Sequence, residues 1–461
     1  MKWVCPVLMF LLLGGFFCQA KTTLVLSKQE ALTRALERNL GIKIERSQVE
    51  IAKEGIELEK GVFDPEVSAS FTTTTVDDLD TESLAAGVDG LLSTGGTYSV
   101  GISSDESFVQ NGGYNSFAGV SFRQPLLRNF GFDVNLAALR IARYQFDLGE
   151  WEYKQVLLDT LAATVFAFND VYEAQQNLES SIRTRDLAQQ TVIDNDKKVA
   201  LGSMAKLDIV EAKAQLASRD ERVLGATNSV RRAQNRLKQL IFDNAAEALG
   251  FDLEVEIYTE PEITDDFSSY LSTLLENSPS YHIGEIALEI ARLRLVRDNN
   301  QTLPSLDLIA QYGFSGSGGS IGGSIDSALF HGEDTYTLGA SIRFPIFNRS
   351  ARAQEAISKQ RTRIAEVDLQ GIKQAIQLEF HTSFQIMQTN FKRVAATRYA
   401  RELAEQTLDA EEKKLNVGTS STFFVLQFQN NLSLAELREI SAIASYNRSV
   451  AEFNRLRGVL E

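Results

Sequence analysis

Hydrophobic and polar residues alternate along this chain with two different periods, and the period changes at prolines. Tyr153, Leu157, Leu161, Val165, Phe168 and Tyr172 recur at three- and four-residue steps, which puts them on one stripe of a helix. The run 126–202 that carries this stripe contains no proline, and neither does a second run, 346–418. Each run begins just after a proline (Pro125, Pro345) that closes a strand-like segment, reaches a glycine (Gly202, Gly418), and continues as a further helical stretch. Proline fixes its own φ and pushes the residue before it out of the helical region, so a strand ends cleanly there. About 70 residues at about 1.5 Å rise would span roughly 100 Å, several times an ordinary globular helix.

Period two appears elsewhere. Val67, Ala69, Phe71 and Thr73 alternate with Ser68, Ser70 and Thr72; Tyr98, Val100 and Ile102 with Ser99, Gly101 and Ser103; and Tyr114, Ser116, Ala118, Val120 and Phe122 with the residues between them. Later, Leu306, Leu308, Ala310, Tyr312 and Phe314, and then Tyr336, Leu338, Ala340, Ile342 and Phe344, do the same. The Gly/Ser-rich stretch 313–324 reads as a mobile loop. Near the start, Ser27 and Glu30 have capping-box spacing, and a helix follows until Leu40-Gly41 interrupts it. A second helix is expected from about Ile42 to Val62, ended by Pro65.

The punctuation repeats. Leu275-Glu276 answers Leu36-Glu37, Ile290-Ala291 answers Ile51-Ala52 and Pro304 answers Pro65 at one constant offset, while Ser-Phe-Arg-Gln-Pro125 answers Ser-Ile-Arg-Phe-Pro345. Pro65, Pro125, Pro304 and Pro345 therefore mark helix–strand borders of an internal duplication. The expected organisation is a first repeat 21–250, with helices 27–62, strands 65–124 and long helices 126–242. A short strand-and-loop link follows at 251–268, then a second repeat 269–461 with helix 269–302, strands 304–344 and long helices 346–459. The helical runs differ by about one turn. The first strand region is the longer, by about one extra strand (98–103) with its turns.

The strands, four or five per chain, are too few to close a membrane barrel, which needs about eight or more. They are either the share of an oligomer that pools strands, because an open edge cannot sit in lipid, or part of a soluble sandwich. The N-terminus speaks for export. Lys2, an apolar stretch from Val7 to Phe17, and Ala20 read as a secretory signal peptide over 1–20, too short for a membrane helix. Cys18 raises a lipid-attachment alternative, against which the bulky Phe17 counts. Both cysteines, Cys5 and Cys18, lie in that segment. No later segment is apolar enough to cross a bilayer as a helix. A formal net charge of -15 argues against nucleic acid as a partner. His282, His331 and His381 lack ligand spacing, and no catalytic motif occurs, so no cofactor, metal or enzymatic activity is expected.

Gln124-Pro125-Leu126-Leu127-Arg128-Asn129-Phe130-Gly131 followed by a rod and a Val199-Ala-Leu-Gly202 turn, repeated as Phe344-Pro345-Ile346-Phe347 and Asn416-Val417-Gly418-Thr419, resembles the TolC-type outer-membrane efflux protein family over nearly the whole chain. The resemblance implies an α+β membrane protein, in which a long α-helical barrel continues from a trimeric transmembrane β-barrel. It implies a passive exit duct for efflux or type I secretion, held in outer-membrane lipid and reaching across the periplasm. A periplasmic adaptor protein and an inner-membrane pump would dock at the tip turns, Gly202 and Gly418. An exported structural rod with a β head is the competing class.

The resemblance also marks departures. Where drug-exporting members carry two pore-facing aspartates, this chain has Phe424 and Gln427, and where they carry a latching tyrosine and arginine it has Leu415 and Ser420. The aspartate after the first glycine is kept as Asp208, with Lys206, Lys413 or Lys414 as substitute partners. Phe424 has two readings, a ring that narrows the pore and stops ions by dewetting, or packing between helices. The expected lipid face carries Tyr336, Leu338, Ala340, Ile342 and Phe344, and Tyr114, Val120 and Phe122, with Arg123 and Arg343 on the opposite faces.

Overall fold

A computed structural model describes residues 22–76, 79–107, 113–202, 205–256, 258–262, 270, 273–417, 419–420 and 422–459. The expected signal peptide, Gly418, and 257 and 263–269 of the link region lie outside the described residues. The chain forms two compact parts. One comprises Met1–Lys43, Leu157–Asp266 and His381–Glu461; the other, Ile44–Val156 and Phe267–Phe380.

The first part contains a two-stranded parallel sheet, in which the strand expected in the link gains a partner that the sequence did not suggest. β1 (Thr22–Leu26) pairs with β6 (Phe251–Val255), with Leu24 opposite Leu253. Helix α1 (Lys28–Arg38) follows, and its capping box forms: the Glu30 amide donates to Ser27 Oγ at 3.3 Å, and the Ser27 amide donates to a Glu30 carboxylate oxygen at 3.2 Å. The break before α2 (Leu40–Gly61) falls one residue earlier than expected. Asn39 leaves the helix with ψ 127°, and its side-chain oxygen accepts from the Gly41 amide at 2.8 Å, so it ends one helix and caps the next. The link after β6 is pinned by Asn447, whose side chain accepts from the Glu260 amide and donates to the carbonyl of Tyr258 and to Asn169 Oδ1.

The second part is built on a six-stranded antiparallel sheet in the order β2 (Glu66–Val76), β3 (Leu79–Leu91), β4 (Thr97–Ser107), β5 (Gly113–Pro125), β7 (Ser305–Gly318), β8 (Glu333–Arg343). Sequence order and spatial order coincide, so this is a meander shared by both repeats, joined where β5 pairs with β7. Six strands replace the expected four or five. β3 occupies a stretch in which the sequence pattern marks no strand, and the surplus of the first repeat is a full hairpin rather than one strand. The expected mobile loop 313–324 is also corrected. Its first part extends β7 to Gly318, and the rest begins helix α9 (Ile321–Phe330). Ser320 caps this helix, accepting from the Gly323 amide at 3.2 Å.

Pro65 and Pro304 stand just before β2 and β7, Pro125 ends β5, and Pro345 follows β8. The helices after Pro125 and Pro345 start later than 126 and 346. Asn129 (φ 64°), Gly131 (φ 97°) and Asn348 (φ 41°) put a left-handed bend between strand and helix in both repeats, and Asn and Gly are the residues that adopt it at least cost. Both bends are tied to the helix–strand border of the second repeat: the Asn129 amide, from the first repeat, donates to Asn300 Oδ1 at 2.7 Å, and Asn348 Nδ2, within the second repeat, donates to the Thr302 carbonyl at 2.9 Å.

The short α3 (Phe132–Asn135) leads into α4 (Ala137–Ala200), which returns as α5 (Lys206–Ile241); the short α6 (Ala245–Leu249) precedes β6. In the second repeat the expected single helix 269–302 divides at Ser278 into α7 (Leu274–Asn277) and α8 (Pro279–Asn300), because Pro279 takes the first helical position and holds Ser278 extended. Finally α10 (Arg349–Asn416) returns as α11 (Thr422–Arg457). The long helices have 64 and 68 residues, and the return helices 36 each.

Candidate functional site

Two places bear on function, the sheet and the helical turns. In the sheet, directly opposed residues share a face, so the register sorts them. One face carries Val67, Phe71, Val100, Val120, Tyr336 and Leu338, all solvent-exposed in the single chain; Tyr336 is 82% and Leu338 75% accessible. A patch of large exposed side chains of this extent is a contact surface for something apolar. The other face carries Ser68, Ser99, Ser121, Gln311, Thr337 and Ser341, matched across strands. This hydroxyl face is the hollow one: Ser68, Ser99, Ser103, Ser121 and Gln311 line a groove of about 290 Å³. Near its end Arg123 pairs with the buried carboxylate of Asp307 at 2.9 Å, joining β5 to β7.

The hollow face has a row without side chains. Gly87, Gly101, Gly119 and Gly313 stand opposite one another across β3, β4, β5 and β7. A Cβ at Gly119 would lie 2.4 Å from the Tyr312 carbonyl oxygen, and one at Gly313 would lie 2.4 Å from that of Ala118. The strands thus approach too closely for any other residue, and the Phe117 ring lies over the last two glycines. In the sequence Gly101 and Gly119 are only alternating positions of separate strands; the row exists through the register, which one strand alone does not reveal.

Helix α9 lies on the apolar face. Ser324 Oγ is 2.7 Å from Ser116 Oγ and 3.1 Å from Ser104 Oγ, and all three serines are buried. Gly316 permits the approach, since a Cβ there would be 2.2 Å from the Ala328 amide. The helix therefore covers the two serines that interrupt the apolar face on β4 and β5.

Both helical turns lie in the first part. Gly202 has φ 77°, and its amide donates to the Val199 carbonyl at 2.9 Å, closing α4. Leu201, Leu207 and Val210 are exposed beside it. At the second turn the Lys414 carbonyl accepts from the Thr419 amide at 3.0 Å, and the Glu411 carboxylate accepts from Lys414 Nζ at 3.0 Å and from Ser420 Oγ. The Ser420 hydroxyl, then Lys414, hold the Glu411 carboxyl below its ordinary range. Lys413 pairs with Asp409, so two of the lysines considered as partners for Asp208 are engaged within α10. Of Asp208, its place on α5 is described. Phe423 and Phe424 are both exposed, their rings edge to face with centroids 5.6 Å apart, and Val425 is the buried neighbour. Gln427 is exposed. Within one protomer Phe424 fills no core.

His282 stacks on Trp151 with ring centroids 4.0 Å apart, and among the described residues no cluster of metal-ligating side chains occurs. No described helix is long and apolar enough to cross a membrane.

A duplicated chain of long helical hairpins carrying a meander, apolar on one side and hydroxyl-rich on the other, has the fold of the solved outer-membrane channels. The similarity extends to the Campylobacter jejuni CmeC outer membrane channel (TM-score 0.74, 16% identity, 94% of this chain and 85% of that one). It also extends to the outer membrane protein VceC of Vibrio cholerae (TM-score 0.71, 17% identity, 94% and 96%) and to the open state of the Neisseria gonorrhoeae MtrE outer membrane channel (TM-score 0.69, 16% identity, 94% and 89%). The sequence model of the outer membrane efflux protein family matches residues 31–241 and 270–459, and the chain belongs to that family. A curated relative, the outer membrane efflux protein BepC of Brucella suis biovar 1 (strain 1330), is 19% identical over 443 residues, covering 94% of this chain and 87% of that protein. This protein's place is accordingly the outer membrane, and its family and fold relatives are channels rather than enzymes.

Proposed function

We propose that the protein is the passive exit duct of a tripartite efflux or type I secretion system. Copies of the chain, three by family resemblance, pool their sheets into one barrel. The face bearing Tyr336 and Leu338 meets lipid, and the hydroxyl face lines the lumen. The helices form a hollow barrel in the periplasm, and a periplasmic adaptor protein docks at the Gly202 and Gly418 turns, where exposed Leu201, Leu207 and Val417 offer apolar purchase. An inner-membrane pump supplies the energy. Phe424 and Gln427, with Asp208 nearby in sequence terms of the first turn, narrow the periplasmic end of the path, and the Phe424 ring resists ions by dewetting.

The observation that carries this reading is the meander. It is amphipathic across six strands yet open at both edges, and lipid tolerates strands only in a closed ring. The test is purification from the outer-membrane fraction as a trimer whose gel mobility changes on heating, and which conducts ions in a planar bilayer. A freely soluble monomer with no conductance overturns the duct and leaves the structural rod. In conducting trimers, Phe424→Ala should raise single-channel conductance. An unchanged value with the trimer intact would place Phe424 in packing between helices of neighbouring copies.

A further inference from the structure

The first repeat contributes four strands and the second two, and the count has a consequence for the duct. We infer that each copy supplies all six strands to the barrel wall, so that β8 of one copy pairs with β2 of the next and three copies close an eighteen-stranded ring. The inference rests on the trimeric barrel proposed above and adds the strand number and the seam.

Three features carry it. First, β2 and β8 are the two open edges, and they match in length at 11 residues each. Second, every neighbouring pair in the sheet is antiparallel, and six is an even number. β2 therefore runs opposite to β8, and a head-to-tail contact between copies continues the same alternation. Third, the faces agree across the seam. Val67, Ala69 and Phe71 on β2 share the apolar side with Leu338, Ala340 and Ile342 on β8, while Ser68, Ser70 and Thr72 share the hollow side with Thr337 and Ser341. The β2–β3 hairpin has the same two-faced pattern as the rest of the wall. A hairpin standing outside the ring would leave Val67, Phe71 and Val88 without an apolar neighbour and would expose a further edge to lipid.

The size of the opening follows from geometry. Strands about 4.8 Å apart and tilted by about 40° make an eighteen-membered ring roughly 35 Å across, against roughly 24 Å for twelve. Side chains standing about 5 Å inward leave a bore of roughly 25 Å. The hollow face carries mainly serine, threonine and glycine, which fill little of it. A bore of that width passes cargo twice as broad as an α-helix, which is about 10–12 Å in diameter. The barrel thus admits extended or compact polypeptide as well as small molecules, and discrimination between cargoes falls to the helical end.

Paired cysteines test the seam, since the only natural ones are Cys5 and Cys18. Ser341→Cys is combined in turn with Ser68→Cys, Ser70→Cys and Thr72→Cys on β2, and in a second set with Ser99→Cys and Ser103→Cys on β4. Each single variant runs alongside. The expected result is a reducible ladder of covalent dimer and trimer for at least one β2 pair and for no β4 pair, because β4 is flanked on both sides within its own copy. A ladder from a β4 pair instead would mean a twelve-stranded ring with β2 and β3 outside it, overturning the inference while keeping the trimeric barrel. No ladder from either set, with a native trimer present, overturns edge pairing through β8. Loss of the trimer from the unsubstituted protein overturns the underlying reading itself.

Discussion

The two repeats agree in their helices and disagree in their strands. Return helices α5 and α11 both have 36 residues, and α4 and α10 differ by about one turn. Between the border prolines, however, one repeat places four strands, and the other places two strands and a ten-residue helix. Helices that line one duct side by side must end at the same level, so their lengths are constrained together. Strands in a meander are added two at a time, because a hairpin returns the chain to the side it left. The duplication has therefore diverged where geometry permits a unit step and has been held where neighbours must match. Both repeats keep the left-handed bend at the strand–helix border, through Asn129 and Gly131 in one and Asn348 in the other.

The largest expected effect lies at the seam between the repeats. Gly119→Val on β5 and Gly313→Val on β7 each place side-chain atoms against the opposite strand's carbonyl. Overpacking of a sound core costs about 1–3 kcal/mol, and backbone cannot move aside as a side chain can, so about 3 kcal/mol and failure to form the heat-modifiable species are expected. A folded trimer from either variant would show that the row is not a close contact. Next, Leu338→Arg in the second repeat and Val100→Arg in the first should each cost about 2–4 kcal/mol near mid-bilayer. Equilibrium unfolding in detergent or lipid compares the two; tolerance in one repeat alone would mean that its strands do not face lipid. Below these comes Asp307→Asn. The carboxylate is buried while Arg123 is half exposed, so loss of this pair across the β5–β7 seam should cost about 1 kcal/mol by the same measurement.

The turns give the smallest effects. Gly202→Ala, at φ 77°, should cost about 1 kcal/mol and reduce adaptor-dependent export more than trimer yield. Equal loss of both would confine the glycine to folding. The second turn responds to acid. Glu411 lies below its ordinary value of 4.5, so its contribution is complete above that pH and disappears as the pH falls through its lowered value. Conductance or protease susceptibility at the tip should change in that acid window, and Glu411→Gln should remove the change.

Much of the architecture was legible before the structure. The prolines marked the borders, the capping box at Ser27 formed, and the three- and four-residue stripe on α4 buried Val165 and Phe168. β3 escaped notice because Leu84, Ala86 and Val88 alternate with Ala85 and Gly87, small residues that give period two little contrast. α9 was hidden by Gly322-Gly323, although Ser320 ahead of Ile321, Ile325 and Ala328 carried a cap and a helical spacing. At the tips the sequence supplied Phe424 and Gln427 but not their exposure, which depends on Val425 taking the inward position. The Glu411 staple went unremarked, since nine residues separate it from Ser420 and only the closed turn brings them together.

The hydroxyl lining of the sheet bears on ion selectivity. The hollow face offers Ser70, Ser99, Gly101, Ser121, Gln311 and Thr337, with Asp89 in the same rung as Ser99, Ser121, Gln311 and Thr337, and Arg123 and Asp307 following toward one end. Pores that sort ions do so with rings of charge or of ordered carbonyls. A wall mainly of hydroxyls wets the passage and exchanges hydrogen bonds with whatever crosses it, while the Asp89 carboxylate among them, and Asp105 and Glu333 toward the other end of the strands, favour cations. An open barrel of this kind should show a reversal potential displaced toward that of the cation in a salt gradient, and an anion preference in the whole protein would report the helical end.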